Sequence, residues 1–309
     1  MKAIRIHERG GPEVLRYEDA PVPKPGAGEI LVRVHAAGVT HGELEWFPTW
    51  FTRLSQPRPF PVTPGHEFAG EVVEIGENAR GVAVGDQVFG LSDWFCNGAL
   101  AEYCITRPDF VIPRPDSIDV LSAAITPISA LTAWQGLIHR GRLASGNRVL
   151  IHGGAGGVGQ FAVQIARWRG AHVIATCSSH NESYVREIGA HETIDYHTVN
   201  FESVVSEVDL VLDTVGGETL NRSWQVLAPG GRLVTISNDA MTSKDLRVRE
   251  ASFIVEPDRT QLEDLTGWIV EGILKPVVDR VLPLSRAREA YETKGKRGKS
   301  VVQIAQPPR

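Results

Sequence analysis

Cysteine is scarce. The 309-residue chain has three, Cys96, Cys104 and Cys177, with no C-x-x-C pair. That excludes a disulfide framework and fits a reducing compartment. No run of 18 apolar residues occurs, so no membrane-spanning segment is expected. Long basic blocks are missing too, and the net charge is −5, which argues against a nucleic-acid partner. The first residues, Met1-Lys-Ala-Ile-Arg-Ile6, read as the start of a strand and lack the apolar region of a signal peptide. There is no internal repeat and no low-complexity segment. These absences lead to the expectation of a cytoplasmic protein.

What is present suits two domains of ordinary core content, with 42% hydrophobic residues. Residues 1–120 are rich in glycine and proline. Strands are expected at 3–6, 29–36 and 71–75, separated by clusters such as Pro21-Val-Pro-Lys-Pro-Gly-Ala-Gly28. Residues 84–90 read as a turn and then a strand. Near Ser122 the pattern changes: 121–138 has helical spacing, with Pro127 marking a start or a bend. From Arg148, strands (149–152, 172–176, 193–195, 210–213, 232–236) alternate with helices (158–169, 181–188, 218–227). Such alternation predicts βαβ units and a parallel sheet. A last strand is expected at 251–255, then a helix at 261–273. The tail segments 277–282, 285–292 and 300–304 look like material returning to the first domain.

The chain is organised around Arg148-Val-Leu-Ile-His-Gly-Gly-Ala-Gly-Gly-Val-Gly159. A short buried strand runs into a glycine turn with Gly154, Gly156 and Gly159 in G-x-G-x-x-G spacing. Then Val158, Phe161, Ala162, Ile165 and Ala166 mark the apolar face of a helix. Strand, turn and helix start form a cradle for a dinucleotide pyrophosphate, with Gly154, Ala155, Gly156, Gly157, Val158 and Gly159 as its lining.

NAD sites end the second strand on an acid that binds the ribose 2′-hydroxyl. Here the tip reads Cys177-Ser-Ser-His180, and no carboxylate appears before Glu182. An acid would repel a 2′-phosphate, whereas Ser178, Ser179 and His180 would hydrogen-bond it. The expected cofactor is therefore NADP. Ser179-His-Asn-Glu182 is also a capping box, so Ser179 has a second explanation as a helix cap. The tip carries no lysine or arginine.

Several further stretches accompany the glycine motif. They are Lys24-Pro-Gly-Ala-Gly-Glu-Ile-Leu-Val-Arg-Val-His-Ala-Ala-Gly-Val39, Pro64-Gly-His-Glu-Phe-Ala-Gly-Glu-Val-Val73, Val84-Gly-Asp-Gln-Val-Phe-Gly90, Leu131-Thr-Ala-Trp134, Leu210-Val-Leu-Asp-Thr-Val-Gly-Gly217 and Gly230-Gly-Arg-Leu-Val234. With them the chain resembles the medium-chain dehydrogenase/reductases over nearly its whole length. Within them it is similar to the zinc-independent, NADP-dependent quinone oxidoreductase branch. The resemblance implies an α/β protein: a Rossmann doubly wound parallel sheet domain (121–259) plus a GroES-like β-rich catalytic domain (1–120, completed by 260–309), with the cofactor cleft between them. It also implies a homodimer. It places Thr132 near the nicotinamide and Tyr196, from Ile194-Asp-Tyr196, near the 2′-phosphate.

Zinc-dependent relatives take a cysteine just after A-G-V, the G-H-E pair, and a later cysteine or acid. This chain keeps Gly65-His66-Glu67, but Thr40 and Thr126-Pro127 fall at the other positions, and the four-cysteine lobe is missing. No metal is expected, although a composite site of His41, Glu43, His66 and Glu67 stays open. Without a Lewis acid, alcohol oxidation is disfavoured, and hydride transfer from NADPH to a quinone or α,β-unsaturated carbonyl fits better. The candidate donors to the developing oxyanion are Thr40, His41 and His66, with Glu43 as orienter. Trp46-Phe-Pro-Thr-Trp-Phe51 and Trp94-Phe95 suggest a wall for a flat apolar substrate, or alternatively a packed surface loop. Arg53, Arg58 and the prolines around them suggest a mobile loop over the cleft. An enoyl-thioester reductase and a catalytically silent NADP(H)-binding sensor or structural protein are alternative readings.

Overall fold

The computed structural model describes residues 1–293 and 297–304. Strands β1 (Lys2–Ile6) and β2 (Leu15–Asp19) form an antiparallel pair. Next come β3 (Ile30–Gly38), a short helix α1 (Phe47–Trp50), β4 (Glu67–Ile75), β5 (Gln87–Leu91), β6 (Tyr103–Thr106) and β7 (Val111–Pro113). Helices α2 (Val120–Ala124) and α3 (Thr126–Trp134) lead to β8 (Arg148–Ile151), α4 (Gly157–Trp168) and β9 (His172–Cys177). The chain continues through α5 (Glu182–Glu187), β10 (Glu192–Asp195), β11 (Val208–Asp213), α6 (Gly217–Ser223) and β12 (Leu227–Thr235). It closes with α7 (Asn238–Met241), α8 (Leu246–Ala251), α9 (Arg259–Val270), β13 (Val278–Pro283), α10 (Ala287–Glu292) and β14 (Lys299–Gln303).

Beside the β1-β2 pair, two larger sheets carry this order. The five-stranded sheet runs β10-β9-β8-β11-β12 and every pairing in it is parallel. It is doubly wound: the chain moves outward from β8 to β10, then restarts on the other side at β11. The crevice at such a switch, beyond the carboxyl ends of β8 and β11, is where this architecture binds ligands. The seven-stranded sheet runs β13-β14-β3-β4-β5-β7, with β6 also paired to β3. β3 is its pivot. Its first half pairs with β6, its last residues with β14, and β4 covers its other edge.

The helical stretch at 121–138 is broken in three. Asp119 caps α2 by accepting from the Leu121 and Ser122 backbones, and α3 restarts at Thr126 with Pro127 in its first turn, where a missing N–H costs nothing. The last turns, Gln135–Arg140, widen into a π-helix. The strand expected at 251–255 does not form. Residues 246–251 make α8, and only Ser252 bridges to Thr235. Phe253 and Val255 are buried by packing on the core and not by sheet pairing, while Ile254 between them is exposed.

One continuous apolar cluster joins both sheets. It includes Ala36, Ala69 and Phe89 of the β-rich part, Leu131 of α3, Phe161 of α4 and Val301 of β14. Helix α9 packs on α3 and on β7, so it sits at the seam. Buried Gln160 and Gln164 of α4 fasten the tail to the parallel-sheet half. Their side-chain oxygens accept from Val277 and Lys275 backbones at 2.7 and 2.8 Å.

Candidate active site and cofactor cleft

The glycine turn lies between β8 and α4. Gly153, one residue before the motif spacing begins, is its left-handed residue at φ +73. Gly154 donates to the Thr176 carbonyl at 2.9 Å, tying the turn to β9. Gly156 precedes the first helical residue, Gly157, in extended conformation. At Gly159 a Cβ would lie 2.0 Å from the Gly153 carbonyl, so helix and turn touch backbone to backbone there. Val158 belongs to the first turn of α4, and Ala155 is nearly buried. The first N–H groups of this 12-residue helix have no partner within the helix and could hold an anion.

At the β9 tip Ser178 is 7% exposed. Its hydroxyl accepts from Asn181 Nδ2 at 3.3 Å and lies 3.3 Å from His180 Nε2. Ser179 is not a helix cap: it is the first residue of a 3-10 turn, and neither that turn nor α5 carries a side-chain cap bond. Tyr196 follows β10 with its ring exposed, and its backbone donates to the Cys177 carbonyl at 3.3 Å. Thr132 is buried, its hydroxyl donating to Ile128 O at 2.6 Å within α3. At the switch crevice Asp213 is fully buried. Burial pushes its carboxyl up, against bonds from Thr235, Gly216 and Val215. The final D of Leu210-Val-Leu-Asp213 was legible as a strand end, but its bond to Thr235, 22 residues on, was not.

The β-rich half contributes a buried polar cluster. Glu43, in the turn after β3, is 1% exposed. Its Oε1 accepts from the Gly65 backbone at 2.6 Å and faces His66 Nδ1 at 2.5 Å; its Oε2 accepts from the Tyr291 hydroxyl at 3.0 Å. Burial and the facing Glu43 push the Tyr291 phenol well above its ordinary value, so it stays a donor. His66 Nε2 points toward the Cys96 carbonyl at 3.4 Å, and the Trp94 ring lies 5.4 Å from its own. The Thr40 hydroxyl is buried with no hydrogen-bond partner among the described residues. His41 is part-exposed, its Nε2 3.2 Å from the Thr293 carbonyl. Thus Glu43 and His66 come together, and Thr40 stands beside them in sequence. Tyr291 was missed, since a partner 248 residues downstream leaves no local trace.

Glu67 is committed elsewhere. It is fully buried, accepts from the Ile128 backbone at 2.9 Å at the start of α3, and pairs with Lys299 of β14. Lys299 also donates to Ser129 Oγ at 3.2 Å. Burial pushes the Glu67 carboxyl up, and the Lys299 charge draws it back. This cluster links the two halves directly behind Gly157, whose nearest neighbours are Ser129 and Lys299. In front, Asn238 Nδ2 donates to Gly42 O and Glu45 Oε2, both at 3.1 Å, so the cleft walls also meet there.

The aromatic segment has a fixed base. Trp46 meets Trp94 edge-on at 5.5 Å, and Phe47 stacks on Phe51 at 4.8 Å. Arg58 is not on a free loop. It is 8% exposed and donates to Pro48 O at 3.1 Å, pinning the segment. Arg53 stays exposed and pairs with Asp93.

Known proteins match this arrangement. Residues 26–116 fit the alcohol dehydrogenase GroES-like domain family and residues 188–302 the zinc-binding dehydrogenase family. Human quinone oxidoreductase is 31% identical over 311 residues, covering 94% of this chain and 93% of its own. The chain belongs to the medium-chain dehydrogenase/reductases, in their quinone oxidoreductase-like branch. In three dimensions the enzyme superposes on the quinone oxidoreductase of Coxiella burnetii with a TM-score of 0.89 at 31% identity, covering 98% of this chain and 99% of that one. It is also similar to a mycobacterial protein solved in complex with NADPH, with a TM-score of 0.83 at 29% identity and 98% and 100% coverage. It is therefore an oxidoreductase that uses a nicotinamide cofactor and a small-molecule substrate. No helix among the described residues is long and apolar enough to cross a membrane.

The zinc in that family description finds no matching cage. Among the described residues no three His, Cys, Asp or Glu side chains converge. The Glu43 oxygens are engaged by Gly65, His66 and Tyr291, and Glu67 by Ile128 and Lys299.

Proposed function

We propose that this enzyme reduces quinones or α,β-unsaturated carbonyl compounds with NADPH and without zinc. The observation that carries the reading is the Glu43–His66–Tyr291 cluster, which engages in hydrogen bonds His66, one of the positions where zinc-dependent relatives put ligands. The bound dinucleotide would supply the hydride. The first turn of α4 would hold its pyrophosphate, Thr132 and the crevice at Asp213 would flank its inner half, and Ser178 with Tyr196 would meet the adenosine end.

The chain's own residues then have two tasks. Hydride addition leaves an oxyanion on a quinone or enone, which needs a donor and finally a proton. Thr40 offers an unspent hydroxyl. His66 has Nδ1 against Glu43 Oε1 and Nε2 toward the Cys96 carbonyl, so its ring is held at both nitrogens. Glu43 positions that ring, and Tyr291 and Gly65 position Glu43. Trp46 and Trp94 offer flat apolar faces to a planar acceptor.

The test is NADPH oxidation with a panel of quinones, enones and enoyl thioesters, on protein dialysed against a chelator and checked for metal content. Turnover of quinones or enones by metal-free protein is the expected result. Absence of turnover with every acceptor, or activity that zinc alone restores, would overturn the proposal. A strong preference for the thioesters would favour the enoyl-thioester reading.

A further inference from the structure

The β9 tip lacks a cation, yet a 2′-phosphate brings close to two negative charges. The surroundings add more: Glu182 and Asp195 both help to raise the Cys177 thiol, which burial pushes up to about 11, and Arg186 only partly offsets them. Hydroxyls alone are weak partners for a dianion in such a field, and a guanidinium is the strongest one a protein offers.

The fold delivers one from the far end of the chain. Arg297 precedes β14 and crosses to the β9 tip, where its Nε donates to Asn181 Oδ1 at 3.2 Å. Asn181 in turn donates to Ser178 Oγ at 3.3 Å. The guanidinium lies over the Tyr184 ring at 4.5 Å, which fixes its plane. Its backbone is anchored on both sides: Arg297 N donates to Asp279 Oδ1 at 3.2 Å, and Gly298 N to the Ala155 carbonyl of the glycine turn at 2.8 Å. The segment thus runs along the cofactor cradle from Ala155 to Ser178. Neither terminal nitrogen of Arg297 has a protein partner among the described residues. A stacked, half-satisfied guanidinium beside two hydroxyl- and amide-bearing side chains is a ready bidentate site for a phosphate.

We infer that Arg297 is the specificity-determining residue for NADPH, gripping the 2′-phosphate together with Ser178 and Asn181. This rests on the NADPH reading given above and supplies the charge that the β9 tip lacks.

The experiment is fluorescence titration of wild type, Arg297→Met and Arg297→Lys with NADPH and, separately, NADH. Methionine keeps the apolar stem over Tyr184 and removes the charge. Wild type is expected to prefer NADPH by at least tenfold. Arg297→Met should weaken NADPH at least tenfold and change NADH less than twofold, and Arg297→Lys should recover part of the loss. A wild-type preference that survives in Arg297→Met, or a variant that loses both cofactors equally, would overturn the role of Arg297 and leave the NADPH reading standing. Equal wild-type affinity for the two cofactors would overturn that reading, and the role of Arg297 with it.

Discussion

His152 follows the strand that feeds the glycine turn, and it should make the fold acid-sensitive. Its ring is fully buried, with Nδ1 3.2 Å from Thr176 Oγ1, Nε2 2.9 Å from Ser223 Oγ, and Phe201 edge-on at 4.5 Å. Burial first, and the charge of Arg222 second, hold its pKa down at about 3 against the ordinary 6.5. The folded state therefore refuses a proton that the unfolded state accepts. Stability from this group is intact above pH 6.5 and is lost as the pH falls from there to about 3, at about 1.4 kcal/mol per unit and roughly 5 kcal/mol in all. Between pH 7 and pH 5 the loss comes to about 2 kcal/mol, from the proton uptake of the unfolded imidazole alone. His152→Gln keeps a donor and an acceptor between Thr176 and Ser223 and does not titrate. Urea unfolding of both proteins at pH 7 and pH 5, followed by tryptophan fluorescence and circular dichroism, reads the difference. Wild type should lose about 2 kcal/mol more than the variant over that interval. Any cost of the substitution itself cancels. Equal losses in the two proteins would refute the argument that His152 is kept neutral by burial.

Three other outcomes are expected. Lys299→Met leaves Glu67 buried without its counter-charge and should cost about 3–5 kcal/mol, most of it recovered in the Glu67→Gln/Lys299→Met double variant; additive losses in a double-mutant cycle would show that the two side chains do not interact. Gly159→Ala forces a Cβ to within 2.0 Å of Gly153 O and should abolish dinucleotide binding or folding. Gly157→Ala, whose nearest neighbour is 3.5 Å away, should bind within a few-fold of wild type, and matching effects at the two positions would contradict the packing described. Thr40→Val should lower kcat with a quinone by about 10²-fold while the KM for NADPH moves little; an unchanged kcat would remove Thr40 from the reaction.

The parallel sheet was readable because each of its strands and helices announces itself locally, through β-branched runs and the 3.6-residue period of Val158 to Ala166. The missing strand at 251–255 shows the limit of that reading. Phe253 and Val255 are apolar and buried with Ile254 exposed between them, the alternation a strand would show, but their burial comes from packing on the core, which no local pattern distinguishes from pairing. The turn residues were half legible. G-x-G-x-x-G spacing located the cradle, yet the left-handed φ falls on Gly153 just outside it, and the strand ends at Ile151, one residue before its expected end at His152. In the site, His66 and Glu43 could be nominated from residue type and from the G-H-E pair. Their buried state depends on Tyr291, and the partners of Glu67 depend on Lys299; both lie in a tail whose return to the first sheet is a matter of topology.

That topology also sets an order of events during synthesis. Ala36, Ala37 and Gly38 of β3 pair with Val301–Gln303, more than 260 residues later in the chain. At ribosomal speeds of about 5–20 residues per second, this part of the β3 edge waits roughly 13–50 seconds for its partner. Throughout that time the nascent chain displays an apolar, unpaired strand edge, the feature most prone to join a neighbour's sheet. The closing strand brings Lys299 to Glu67 and Gly298 to Ala155 in the same movement, so an unfinished chain lacks both its sheet closure and the clasp on its glycine turn.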